Sequence, residues 1–408
     1  MKKLVCLMLS AVLMLTSVAA LADTTKINPQ ENRGIKLQDV GLNEVEEGIS
    51  PTTGLTLSTL TVPEGFSGMA DTGRYMPMMV QIDNSNGGIN APGAVRCAPW
   101  GATYADIVYE TMLHRDGQTR LSFIFNDLLP DRVGPIRSAR VGHVWIREEW
   151  GAAYLYHGRQ EFEGTNVIEE LNKLGHPWID TKNQKKDPLI FDNNSGSKVW
   201  NDYFNRRSDR TSPHNVTVSV SGIYNDLVPA DYVAPNHTFK FTDETPEGDT
   251  AMNILISWRS DKKVNECDSN LIYDIDSNTY LRYMRHNSKN LYPWVDEDGT
   301  QIGFANVIVQ FTETIYHDER APIQRVTAAD YGPVEGNADF FMAGKHIAGY
   351  WKRDSVTDRT VYYGPDGEEI SLQRGKTLII IFPDDIIRNT KKQEFPNSIT
   401  YSDKLSGE

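Results

Sequence analysis

The sequence predicts an α+β fold in which an N-terminal mixed α/β domain is followed by a mainly antiparallel β domain. Three observations carry this. Up to about Leu174, β-rich runs alternate with stretches of helical apolar spacing. Beyond Thr250 only short strand-like runs remain, divided by turn signals. Between them, residues 228–250 turn to Pro, Asp, Glu and Gly with few aliphatics apart from Phe239 and Phe241, which marks a domain boundary. The chain divides into a signal segment (1–22), a polar lead-in (23–72), an α/β domain (73–235), a β-rich domain (236–390) and a polar tail (391–408).

The elements follow in order. Lys2 and Lys3 precede an apolar run from Leu4 to Ala20, and Ala20-Leu21-Ala22 offers a small-x-small cleavage site, so the mature chain starts at Asp23. An uncleaved anchor is the alternative. The lead-in is polar and broken by prolines and glycines, and reads as a flexible segment that tethers or wraps. Met78-Met79-Val80-Gln81-Ile82 is a strand, and residues 107–113 and 121–125 form a hairpin turning at Asp116-Gly117. Ser138 caps a helix bearing Val141, Val144 and Trp145; a strand over residues 153–156 comes next. Thr165 caps a second helix with Val167, Ile168, Leu171 and Leu174 on one stripe and Gly175 just past its end. In the second half, strands fall at residues 254–258, 271–273, 280–284, 307–311 and 378–382. Their reversals lie at Asp276-Ser277-Asn278, Glu297-Asp298-Gly299, Ala343-Gly344-Lys345 and Pro365-Asp366-Gly367.

Charge and cysteines narrow the function. The chain carries a formal net charge of −14, and cleavage removes two lysines and no acid. That balance disfavours nucleic-acid phosphates and anionic membrane surfaces as partners. No stable membrane span is expected after cleavage, and the location is extracytoplasmic, secreted or envelope-associated. Cys6 stands near the start of the apolar run rather than after it, which argues against a lipid anchor. Cys97 and Cys267 are left. Export permits a disulfide between them, but their placement in different domains favours two small core residues.

The residues that can carry chemistry lie between Asp106 and Arg159. Asp106, Glu110, Arg120, Arg137, Arg140, His157 and Arg159 stand at or near the ends of predicted elements, and sequential elements tend to be spatial neighbours, so the expectation is one shared cleft. Asp106 and Glu110 share a strand face by alternation. Arg137 and Arg140 lie three apart at a helix start, where guanidinium forks and free backbone amides can meet a carboxylate, phosphate or acidic sugar. The bland reading is a partly buried network in which the two acids pair with Arg137 and Arg140 and hold hairpin to helix. His157 and His214 are proton-transfer candidates weighed against packed, hydrogen-bonded histidines, and Pro213-His214-Asn215 reads more plainly as a rigid turn.

Other patterns carry less. Ser195-Gly196-Ser197-Lys198 imitates a serine-x-x-lysine motif in a polar loop, with Gly375-Lys376-Thr377 in the wrong order to complete it. Asp274, Asp276, Asp296 and Asp298 fit no EF-hand loop and read as turn carboxylates. Trp258, Tyr280, Tyr283, Trp294, Tyr350 and Trp351 read as core rather than as a glycan-stacking surface. No metal or cofactor motif is seen.

Several strings, in order, resemble the YerB-like lipoprotein family: Ser50-Pro51-Thr52-Thr53-Gly54-Leu55, Met79-Val80-Gln81-Ile82-Asp83-Asn84, Ala105-Asp106-Ile107-Val108-Tyr109-Glu110 and Thr119-Arg120-Leu121. Val133-Gly134-Pro135-Ile136-Arg137-Ser138-Ala139-Arg140, His157-Gly158 and Pro213-His214-Asn215 continue the series. Tyr280-Leu281-Arg282-Tyr283, Asn306-Val307-Ile308-Val309-Gln310 and Gly349-Tyr350-Trp351-Lys352 extend it through the second half. The resemblance implies two regions, each described as a domain of unknown function. Two departures are the absent lipid-attachment cysteine and the longer Arg96-Cys97-Ala98-Pro99-Trp100-Gly101 turn.

The resulting expectation is an exported envelope protein that binds an anionic envelope ligand, or an envelope protein, through the charged site in its first domain. A hydrolase or transferase acting on an envelope polymer, with Asp106 or Glu110 and His157 as acid and base, is the first alternative. An interaction scaffold is the second.

Overall fold

The computed structural model describes residues 24–28, 34–84, 99–114, 117–178, 185–193, 202–258, 267–285, 291–317, 320–384 and 397–405. The signal segment, Cys97, Asp116 and the Ser195–Lys198 string lie outside the described residues, so the cleavage and disulfide expectations do too. Strand dominates, at 39% against 11% helix, so the fold is more β-rich than the sequence suggests.

The first half contributes β1 (Met78–Asp83), β2 (Ile107–Met112), β3 (Thr119–Phe125), α1 (Val141–Trp150), β4 (Ala153–Tyr156), α2 (Val167–Lys173), β5 (Ile190–Asp192) and α3 (Val220–Asp226). The second contributes β6 (Asn253–Ser257), β7 (Ser269–Asp274), β8 (Thr279–Arg285), β9 (Asn306–Thr312), β10 (Val334–Met342), β11 (Lys345–Arg353), β12 (Thr377–Pro383) and β13 (Ser398–Ser402). The reversals follow the turn chemistry: Asn278, Ala343, Gly344, Gly299 and Gly367 all have positive φ.

One 11-stranded sheet runs through both halves. Its main path is Asp249–Thr250, β11, β10, β9, β12, β2, β3, β1, β4, β5, with Val361–Tyr363 beside β11. The crossing lies at β12, which pairs in parallel with β9 on one side and with β2 on the other. Strand alternation gives this sheet two apolar faces. Val80, Val108, Leu121, Phe123, Val309 and Ile380 pack toward a second, seven-stranded sheet built on β13, β6, β7 and β8. Met79, Ile107, Tyr109, Ile124 and Ile379 pack toward α1 and α2 through Val144, Trp145, Val167 and Leu171. Of the second-half aromatics singled out, Trp258, Tyr280, Trp294 and Trp351 are core at no more than 1% exposed and Tyr350 is buried as well, whereas Tyr283 is only partly buried.

Both helix caps differ from expectation. The N-cap of α1 is Arg140, not Ser138: its backbone amide donates to His143 Nδ1 at 3.0 Å. The N-cap of α2 is Asn166, one residue after Thr165, and its side chain accepts from the amides of Ile168 and Glu169. Gly175 takes positive φ just past that helix, as expected.

The lead-in is corrected as well, because part of it is built into the core. Ser50, Thr52 and Thr53 are buried, with Ser50 Oγ donating to Asp127 at 2.6 Å and Thr53 Oγ1 to Asp127 at 2.7 Å. Gly54, at φ 68°, closes the turn against the Phe241 ring, where a Cβ would lie 2.5 Å from the ring.

Candidate functional site

Four strands deliver residues to one end of the central sheet. β1, β4 and β5 run parallel, so Asp83, Tyr156 and Asp192 stand together at their carboxyl ends, the end where open α/β sheets hold ligands. β3 runs antiparallel to β1 and places Arg120 opposite Asp83. Residues 133–140 then run along this end: the amide of Arg137 donates to Gln81 O at 2.9 Å, His157 N to Arg137 O at 3.2 Å, and Ala139 N to Gly158 O at 2.9 Å. Gly158, at φ 82°, faces Ser138 Oγ so closely that a Cβ would lie 2.8 Å away.

Asp83 is the hub. Arg137 Nε lies 3.3 Å from its Oδ2, and His214 Nδ1 also bonds that oxygen. Burial raises the Asp83 pKa, but the His214 hydrogen bond and the charges of Arg120 and Arg137 outweigh it and hold the carboxyl well below the usual range. Arg120 is 2% exposed; its Nη1 reaches Ser138 O at 3.5 Å, and its Nε has no hydrogen-bond partner among the described residues. Burial depresses its pKa to about 9, Asp83 opposing and Arg140 and Arg137 adding to the effect. Arg140 donates from Nη1 to the carbonyls of Ala139 at 2.8 Å and Ser138 at 3.2 Å, and burial lowers it to about 10. Both guanidiniums remain charged at neutral pH.

Two histidines at this end are kept neutral. Burial, then Arg140 and Arg120, push His143 well below its usual value; with Nδ1 accepting from Arg140, its Nε2 donates to Thr111 Oγ1 at 2.9 Å. His157 is lowered by burial and by Arg206, whose Nη2 lies 3.2 Å from its Nε2. Tyr156 presents a buried hydroxyl with no hydrogen-bond partner among the described residues. Arg159, by contrast, is neutralised in place by Asp192 and by Glu161 at 2.6 Å, and its guanidinium lies 4.2 Å above the Trp178 ring.

The structure gathers Arg120, Arg137, Arg140, His157 and Arg159 on one face of this end; Glu110 reaches the same end on the opposite face, 3.2 Å from Asn84 Nδ2, and Asp106 is not brought here. The reason is the pleat. Asp106, Val108 and Glu110 do share a face of β2, but that face looks toward the seven-stranded sheet, whereas Arg120 lies on the face of α1. Glu110 pairs instead with Arg282 of the second half at 2.7 Å, both wholly buried. Asp106 stands at the opposite end of the sheet, where its Oδ2 accepts from Asn126 N at 2.8 Å, Asp127 N at 3.0 Å and Thr52 Oγ1 at 3.0 Å. Burial and the charge of Asp127 lift its pKa far above the ordinary range. The expected pairing of the two acids with Arg137 and Arg140 is therefore replaced by two separate networks.

Asp83, His143, Tyr156 and Arg206 were not identified from sequence as members of this cluster. Asp83 meets His214 across 131 positions, and no local pattern reports such a contact. Asp296, one of the turn acids, accepts from Gly101 N at 3.2 Å and Thr103 N at 2.9 Å.

The model described as "Protein of unknown function (DUF3048) N-terminal domain" matches residues 66–232, and that of the DUF3048 C-terminal domain matches 258–379. This chain belongs to the YerB-like family. A YerB-family relative, "Putative lipoprotein YerB" of Bacillus subtilis (strain 168), is 26% identical over 289 residues, covering 70% of this chain and 76% of that protein. The crystal structure of the YerB protein from Bacillus subtilis matches with a TM-score of 0.59 at 19% identity, over 82% of this chain and 96% of that one, which shows the YerB-like fold. No helix among the described residues is long and apolar enough to cross a membrane.

Proposed function

We propose that this YerB-like protein works at the cell envelope, outside the cytoplasm, and binds an anionic ligand at the carboxyl ends of β1, β4 and β5. Arg120, Arg137 and Arg140 hold the anion, and His157 and Arg206 form the rim. In this reading residues 73–235 form an α/β ligand-binding part and residues 236–390 a β-rich support. The envelope location is supported by the lipoprotein name of the Bacillus relative.

The observation that carries the proposal is Arg120: a guanidinium 2% exposed, with an Nε donor that has no partner among the described residues and two further arginines beside it, in a chain of net charge −14. Buried positive charge gathered this way is costly unless countered, and Asp83 is one carboxylate among three arginines. A phosphate or carboxylate supplies paired acceptors for such forks. The enzyme alternative loses its acids, since Asp106 and Glu110 are sealed elsewhere.

Calorimetric titration with inorganic phosphate, citrate and glucuronate tests this. At least one is expected to bind, with affinity falling roughly tenfold or more in Arg137→Ala and in Arg140→Ala. If none of the three binds, or the variants bind equally well, the reading fails.

A further inference from the structure

We infer that His176 is a proton-operated clasp: as an imidazolium it holds Trp178 over the Arg159 guanidinium, and on losing its proton it lets the indole go. Both residues sit on one short link. α2 ends at Lys173, Gly175 turns the chain at φ 87°, and residues 176–178 follow directly. Trp178 reaches the carboxyl end of β5, where its Nε1 donates to Asp192 Oδ2 at 3.1 Å and its ring centre lies 4.2 Å from the Arg159 guanidinium carbon.

The His176 ring is gripped from two sides. Its Nδ1 lies 2.5 Å from Asp187 Oδ2, and its Nε2 lies 2.8 Å from Glu148 Oε2 on α1. A neutral imidazole has one N–H and one lone pair, so it satisfies one carboxylate and turns a lone pair to the other; an imidazolium satisfies both. Charge agrees with this geometry. Arg147 Nη1 donates to Glu148 Oε1 at 2.8 Å and lies 3.0 Å from His176 Nε2, so the two cations and two carboxylates are a neutral quartet with the proton and a negative one without it. Burial lowers the His176 pKa, but the hydrogen bonds to Asp187 and Glu148 outweigh it and carry it above 6.5. The other groups nearby do not titrate with it. On α2, Glu170 accepts from Trp145 Nε1 at 2.5 Å and from Tyr331 OH at 2.7 Å, and the Lys173 ammonium lies 4.4 Å from the Tyr331 ring centre. Tyr232 and Tyr331, pushed above 10.0 by burial, stay neutral.

Asp187 passes the charge change to Trp178. Its amide donates to Pro177 O at 2.8 Å, so it grips the link twice, and repulsion at its carboxylate falls on the residues beside the indole. The clasp is fully closed below 6.5 and opens as pH rises through the folded value of His176.

The test is fluorine NMR of the full mature chain labelled with 5-fluorotryptophan, with Trp178 assigned by Trp178→Phe and the His176 ring proton assigned by His176→Gln. Both signals are followed from about pH 5 to about pH 9. The Trp178 fluorine is expected to gain solvent exposure, read as its shift between H2O and D2O, with the same midpoint as the His176 proton and above 6.5. In His176→Gln the Trp178 signal is expected to be flat across the range. Asp187→Asn keeps the Oδ1 acceptor of Leu189 N at 2.7 Å but puts an amide donor against Nδ1, and is expected to lower both midpoints by about one pH unit. A Trp178 signal that does not follow His176, a His176 midpoint at or below 6.5, or unchanged midpoints in Asp187→Asn overturns the proposal. If His176→Gln does not fold, the parent and Asp187→Asn titrations decide.

Discussion

Glu110 Oε2 accepts a hydrogen bond from Arg282 Nη2 at 2.7 Å, and both side chains are wholly buried. The pair connects β2 in the first half with β8 in the second. Thr119 Oγ1 at 2.7 Å and Asn84 Nδ2 at 3.2 Å complete the carboxylate, and the guanidinium lies 4.6 Å above the Trp294 ring.

Removing one partner leaves the other charge buried. Glu110→Ala is expected to cost about 3–5 kcal/mol, read as a fall in the urea midpoint. The double change Glu110→Leu with Arg282→Met is expected to recover much of that loss, since neither charge remains. An additive double variant would show that the two do not act as a pair.

Asp106 and Asp127 set the response to high pH. Both carboxyls are raised by burial, so the folded chain holds a proton more tightly than the unfolded one. The sign follows: this contribution is full below the unfolded carboxylate pKa and is lost as pH rises through the folded values. Asp106→Asn, which mimics the protonated acid, is expected to flatten the decline of urea midpoints with rising pH. A decline as steep as in the parent counts against a raised Asp106 carboxyl.

His237 sets an opposite slope. Burial, with the Arg353 and Arg359 charges, lowers its pKa from 6.5 to about 3, and neither ring nitrogen has a hydrogen-bond partner among the described residues. Its contribution is full above 6.5 and is lost as pH falls toward about 3. His237→Phe keeps a ring beside Trp150, now 5.5 Å away between centroids. That variant is expected to match or exceed parental stability at neutral pH and to resist acid better, measured by thermal melts from neutral to acid pH.

Asn166 accepts from Ile168 N at 3.0 Å and Glu169 N at 3.3 Å. Asn166→Ala is expected to lower stability by about 1 kcal/mol by urea unfolding, whereas Thr165→Ala leaves α2 its cap.

Local order was legible in the sequence where a short period or a turn residue reports it. Met78 to Ile82, the hairpin strands and the stripe Val167, Leu171 needed only neighbours in the chain. The shared face of Asp106 and Glu110 was legible for the same reason. What each acid faces was not, because β2 and β3 register as Thr111 opposite Arg120, which turns that arginine to the far side. The buried role of Ser50, Thr52 and Thr53 was hidden likewise: polar residues look like linker until Asp127, 74 to 77 positions away, supplies the acceptor. Caps failed by one or two residues, since Thr165 and Asn166 are both good capping types and only the backbone path selects between them.

The seat of β12 between β2 and β9 has a consequence for synthesis. The hairpin of β2 and β3 is made early, yet the ladder partner for the free edge of β2 emerges only when residues 377–383 have left the ribosome. Until then that edge is a bare template for foreign strands. A gene cut between the two family regions would release just such a fragment, and co-translational protection of β2 is a requirement that the native topology places on whatever handles the nascent chain.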